Sequence, residues 1–162
     1  MTTSTHRYPV NALYGDYARA GFGLALTLGP AAMVGAGSGA LYVLLPLSML
    51  FAVFALRTAT RQIAVVELAA DRVTLATWRR AALDWRDMRQ LRVDYYSTRG
   101  DRAGGWMQLT AKGKGTAIRV DSAIEDFVTI ARHAADAARA NGVALSEATR
   151  ANLGHLGIVI DA

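Results

Sequence analysis

The chain has 162 residues, 52% of them hydrophobic and only 19% charged, with 18 Lys and Arg against 13 Asp and Glu for a formal net charge of +5. That composition is rich for a soluble domain and argues against an ordinary cytosolic enzyme, and the lack of cysteine excludes disulfide scaffolds, thiolate metal sites and cysteine nucleophiles. The charge total alone does not choose between nucleic acid, an anionic membrane surface and plain solubility.

Residues 1–16 read as a polar leader. From Ala20 to Leu56 there is no charged side chain, and the run is bounded by Asp16 and Arg19 before it and by Arg57 and Arg61 after it. One helix of that length would reach roughly 55 Å at about 1.5 Å per residue, well beyond a hydrocarbon core of roughly 30 Å. Gly35-Ala36-Gly37-Ser38-Gly39 divides the run with residues that let a chain reverse. The expectation is a transmembrane helical hairpin over 17–57, with spans from Tyr17 to Ala36 and from Ala40 to Leu56, each kinked by a proline, Pro30 or Pro46. The run is too long and too far from the start for a signal peptide. Arg7, Arg19, Arg57 and Arg61 flank an uncharged connection, which predicts cytoplasmic termini; Tyr14, Tyr17 and Tyr42 fall near span ends. Gly21, Gly23, Ala25, Gly29, Ala32 and Ala36 offer small-residue surface suited to a partner helix, with Gly21, Ala25, Gly29, Ala32 and Ala36 as the candidate face, or to packing of the hairpin on itself.

After Arg57 the pattern turns to alternation, and a cytoplasmic domain is expected over 58–142. Strands are predicted at 63–68, 73–78, 83–85, 91–96, 106–111 and 117–120, with turns at Ala69-Ala70-Asp71, Arg99 to Gly105 and Lys112 to Gly115. Ser122-Ala123-Ile124-Glu125 has the pattern of a capping box, and Ile124, Phe127, Val128, Ala131, Ala134, Ala135 and Ala138 form an apolar stripe that ends at Asn141-Gly142. The tail, 143–162, carries a possible short helix from Ser146 to Leu156.

Leu83-Asp84-Trp85-Arg86-Asp87-Met88-Arg89-Gln90-Leu91, set among short strands and followed by one amphipathic helix, resembles the bacterial pleckstrin-homology-like domain. With the hairpin in front, the chain is similar to small membrane-anchored proteins of that group over roughly Arg61 to Asn141. The resemblance implies an antiparallel β-barrel or sandwich capped by the carboxy-terminal helix, a membrane-anchored α+β architecture. Six strands are counted where that fold usually has seven, and the seventh is expected around Arg79 to Ala82 or merged with a neighbour.

His6, His133 and His155 are not at metal-ligand spacing, no nucleophile elbow is present, and the glycine-rich segments do not open helices as phosphate loops do. No catalytic residue, cofactor or metal is expected. Arg79, Arg80, Arg86 and Arg89, with Arg92 next in the three-residue spacing, suggest a cationic rim for anionic headgroups, against which stands ion pairing of these arginines with the interleaved Asp84, Asp87 and Asp94. The Ala69-Ala70-Asp71 turn lacks the basic pair through which eukaryotic relatives of the fold hold phosphoinositides, so that function is not carried over. The dispersal of the cations among carboxylates argues against nucleic acid, and Tyr95 and Trp106 are expected to pack in the core or on a sheet face. The expected role is a non-catalytic accessory, assembly or scaffolding subunit that docks onto other integral membrane proteins, with membrane lipids as partners and a homo-oligomer as a further option; a lipid-sensing module and a membrane-associated enzyme are the alternatives.

Overall fold

The computed structural model describes residues 3–97 and 105–160. It is a mixed α+β chain in the order β1 (Ser4–Arg7), α1 (Val10–Met33), α2 (Leu41–Gln62), β2 (Val65–Leu68), β3 (Arg72–Ala76), β4 (Arg80–Asp84), a single 3₁₀ turn (Trp85–Asp87), β5 (Met88–Tyr96), β6 (Trp106–Gly113), β7 (Thr116–Asp121), α3 (Phe127–Ala140) and α4 (Glu147–His155). Two compact units result: one combines the residues up to Tyr8 with those from Ala64 onward, and the other is Pro9–Ile63. Most of the turn expected at 99–105 lies outside the described residues.

The Pro9–Ile63 unit is two packed helices. Both outrun the charge-free stretch, because polar groups at their open ends find partners across the pair. Asp16 accepts from Arg61 at 3.3 Å and from Arg19 at 3.3 Å, and the Tyr17 hydroxyl donates to Gln62 Oε1 at 2.5 Å. Further along, Gly23 lies against the Phe51 ring. Buried hydroxyls are satisfied within their own helices: Thr27 donates to Gly23 O at 2.8 Å and Ser48 to Leu44 O at 2.8 Å. The reversal falls at 34–40, where the glycine cluster predicts it. α1 ends at Met33, so Pro30 stands in its last turn.

Among the described residues, α2 is the one helix long and apolar enough to cross a membrane by length and composition, and only 11% of its apolar window is buried. The expectation of two such spans is met by one. Asp16 and Arg19 fall inside α1, so its charge-free part, Ala20 to Met33, reaches only about 21 Å at ~1.5 Å per residue.

The other unit holds two antiparallel sheets, β1-β2-β3-β4 and β5-β6-β7, with no ladder between them among the described residues; a closed barrel does not form. Alternation places Val66, Leu68, Val73, Leu83, Leu91, Val93, Leu109, Ala111, Ile118 and Val120 in the core, where the α3 face carrying Phe127, Ile130, Ala131, Ala134, Ala135 and Ala138 is also buried. The strand missing from the sequence count is β1, in the segment expected as leader, and it pairs with β2 (Ser4↔Leu68 through Arg7↔Val65). The strand expected at 83–85 is β4, which begins at Arg80.

The predicted capping box does not form. Ser122 Oγ accepts from Met107 N–H at 3.0 Å, and the Glu125 N–H donates to Arg7 O at 3.0 Å, so both are engaged by neighbouring strands. The helix starts instead after Asp126, whose φ is 52°. α4 covers the edge of β5, where Asn152 Nδ2 donates to Val93 O at 2.8 Å and Thr149 Oγ1 accepts from Val93 N–H at 3.4 Å. A strand edge is thereby satisfied by side chains and shielded from pairing with another chain.

Candidate functional site

Four of the five residues of the expected partner-helix face, Gly21, Ala25, Gly29 and Ala32, lie on α1 and are exposed; Ala36 is exposed in the loop that follows. A Cβ at Gly21 or Gly29 would meet nothing within 4 Å, whereas one at Gly23 would fall 2.3 Å from Phe51 ring carbons. Of the predicted small residues, Gly23 is therefore where the helix pair closes, and the candidate face of Gly21, Ala25, Gly29 and Ala32 is exposed. Phe22 and Leu26 of α1 and Leu45, Met49, Leu50 and Val53 of α2 are also exposed.

The four arginines of the expected rim are not gathered in one place. Arg79 and Arg80 stand at the β3–β4 turn, while Arg86 and Arg89 follow the far end of β4. Four residue steps along β4 take Arg80 to Asp84, about 14 Å at ~3.4 Å per residue. The aspartates do form ion pairs: Asp94 takes the interleaved Arg92 at 2.9 Å, while Asp84 pairs with Arg72 at 3.6 Å and Asp87 with Lys114 at 2.6 Å. Arg80 is held by Glu67 at 2.8 Å. Arg79, Arg86 and Arg89 have no ion-pair partner among the described residues. Exposed pairs of this kind contribute little stability, ~0–1 kcal/mol each.

Trp85 is central to the junction between the sheets. It is 8% exposed; its indole N–H donates to Ala69 O at 3.1 Å, its backbone N–H to Asp71 O at 2.9 Å, and its carbonyl accepts from Asn141 Nδ2 at 2.5 Å. The β2–β3 turn, the 3₁₀ turn and the end of α3 are joined through one residue. In that β2–β3 turn the Arg72 guanidinium hydrogen-bonds the Asp71 carboxyl and holds it below the ordinary carboxylate range. Arg72 and Arg92 are raised in turn by Asp71 and Asp94.

Two groupings escaped the sequence reading. On the outer face of the second sheet Arg92, Thr110 and Arg119 are cross-strand neighbours, and with Asp94, Tyr96, Gln108 and Lys112 they line a groove of about 200 Å³. Tyr96 and Trp106 stack at 4.6 Å beside it; Tyr95 and Trp106 are exposed and belong to the sheet surface, not the core. The signal was the two-residue period of Arg92, Asp94 and Tyr96, which becomes a site only once β6 and β7 are in register. The second grouping is at β1. His6, 4% exposed, has Nε2 2.9 Å from Ser4 Oγ and Nδ1 3.6 Å from Asp126, whose side chain is 73% exposed. A separation of 3.6 Å is no hydrogen bond, and so solvated a carboxylate orients a ring weakly; the arrangement joins β1 to the start of α3. His133 and His155 are exposed, and no group of three or more His, Asp or Glu among the described residues is placed to hold a metal ion.

No family model matches the chain, and no curated protein or solved structure is significantly similar to it.

Proposed function

We propose that this is a membrane-anchored accessory or scaffolding subunit of the bacterial inner membrane. In this reading α1 and α2 together form a transmembrane hairpin, and a pleckstrin-homology-like module in the cytoplasm docks onto a larger membrane complex. The reading rests on one observation: the apolar helix pair is inserted between β1 and β2, which are hydrogen-bonded neighbours in one ladder. If α2 crosses a bilayer, α1 must cross it in the opposite sense, because Arg7 and Val65 sit side by side. The Asp16–Arg61 pair and Arg19 then lie at the interface, where long cationic side chains reach water. Arg7, Arg19, Arg57 and Arg61 favour a cytoplasmic side for both ends.

Support for the pleckstrin-homology-like assignment comes from the four- and three-stranded sheets, the buried Trp85 at their junction and the amphipathic helix α3 that follows the last strand. Support for a partner comes from the exposed face of Gly21, Ala25, Gly29 and Ala32, since small residues let a second backbone approach closely in lipid, where van der Waals packing drives helix association. Purification of the full chain from its native membrane in mild detergent, followed by mass spectrometry, tests this. The expected result is a stoichiometric integral membrane protein that is lost when Gly21 and Gly29 are changed to Leu. A lone monomer, or a partner indifferent to those changes, counts against the proposal.

The lipid-sensing alternative keeps one specific support, the exposed arginines without ion-pair partners.

A further inference from the structure

The register of the first sheet lines up Arg7, Val65, Ala76 and Arg80 as successive cross-strand neighbours, a single row at one end of the sheet. From this row the chain leaves toward α1 after Arg7 and comes back from α2 before Val65. The β3–β4 turn, Thr77-Trp78-Arg79, springs from the same row, between Ala76 and Arg80. At about 4.8 Å between strands, its base lies within roughly 5–15 Å of both connections to the helix pair.

The turn is well defined. The Thr77 N–H and the Thr77 hydroxyl both donate to Arg79 O, at 2.9 and 3.1 Å. At its tip Trp78 is 67% exposed, a large apolar surface open to solvent. Arg79 has no ion-pair partner among the described residues, and Arg80 is engaged by Glu67. An indole has an apolar body and a polar N–H, which suits it to the headgroup level of a bilayer, and an adjacent guanidinium is attracted to anionic headgroups.

We propose that the β3–β4 turn is a membrane-interface anchor, with Trp78 seated at the level of the headgroups and Arg79 against anionic lipid. The proposal rests on the reading of α1 and α2 as membrane-inserted, because that insertion brings this end of the sheet to the bilayer. Arg86 and Arg89 follow the opposite end of β4, beyond the Arg72↔Asp84 row, and take no part.

The test reconstitutes the full chain in vesicles of phosphatidylcholine with a quarter phosphatidylglycerol, the acyl chains brominated near the headgroup, and reads tryptophan quenching. The expected result is strong quenching that falls to less than half in Trp78→Phe, persists in Trp106→Phe and weakens in Arg79→Glu only when phosphatidylglycerol is present. Parent-like quenching in Trp78→Phe, in a chain that resists alkaline carbonate extraction, overturns the anchor and leaves the membrane reading standing. Release of the chain by carbonate overturns both.

Discussion

Replacing Trp85 separates its two contributions, ring volume and the indole N–H. The residue is 8% exposed, and its N–H donates to Ala69 O at 3.1 Å. Trp85→Ala removes a buried aromatic side chain, which costs about 3–5 kcal/mol. Trp85→Phe keeps a ring in place but leaves the Ala69 carbonyl without its donor, which costs about 1–2 kcal/mol. Hydrogen exchange of the β5 and β6 amides in the full detergent-solubilised chain reads the stability of the sheet unit separately from that of the helix pair. At ~1.4 kcal/mol per factor of ten, exchange is expected to speed up by two to three and a half powers of ten in Trp85→Ala and by about one in Trp85→Phe. Equal acceleration in both variants would mean that the hydrogen bond carries the whole effect. No acceleration in either would refute the claim that Trp85 joins the two sheets.

Two further predictions concern local geometry. Gly23→Val drives a side chain into Phe51, so oxidative cross-linking between cysteines placed at Tyr17 and Gln62 is expected to fall several-fold, while Gly29→Val, in open space, leaves it unchanged; the same loss in both contradicts packing through Gly23. The Asp71 carboxyl titrates below the ordinary aspartate value because Arg72 hydrogen-bonds it, so its contribution to stability is present above about pH 4 and is lost as the pH falls through the lower folded value. In Arg72→Ala the Asp71 midpoint measured by carbon NMR is expected to rise toward the ordinary value, and an unmoved midpoint rules out Arg72 as the cause.

What the sequence made legible was whatever repeats over a few residues. The charge-free run, the glycine cluster at its centre, the alternating strands and the α3 stripe are local patterns, and each corresponds to an element. β1 was illegible because Ser4-Thr5-His6-Arg7 has no apolar alternation of its own; it becomes a strand by hydrogen bonding to Val65–Leu68, far along the chain. The helix limits were misjudged for a similar reason. Asp16 and Arg61 look like borders when read singly, yet across the helix pair they neutralise one another and allow both helices to continue. Ser122 and Glu125 carry a helix-start pattern, but the strands on either side claim the same groups. Of the site residues, the small-residue face is readable from helical spacing alone, whereas the arginine rim is not, because neighbours in sequence are carried to opposite ends of β4.

In the proposed hairpin the helix pair leaves and re-enters one sheet on the same side of a membrane. The chain contains no cysteine, so single cysteines at Thr3, Gly37 and Ala151, all exposed, can be probed in sealed inner-membrane vesicles with an impermeant maleimide. Thr3→Cys and Ala151→Cys are predicted to label from the cytoplasmic face and Gly37→Cys from the opposite face only. Labelling of Gly37→Cys from the same face as the other two, or of Thr3→Cys and Ala151→Cys from different faces, would contradict it.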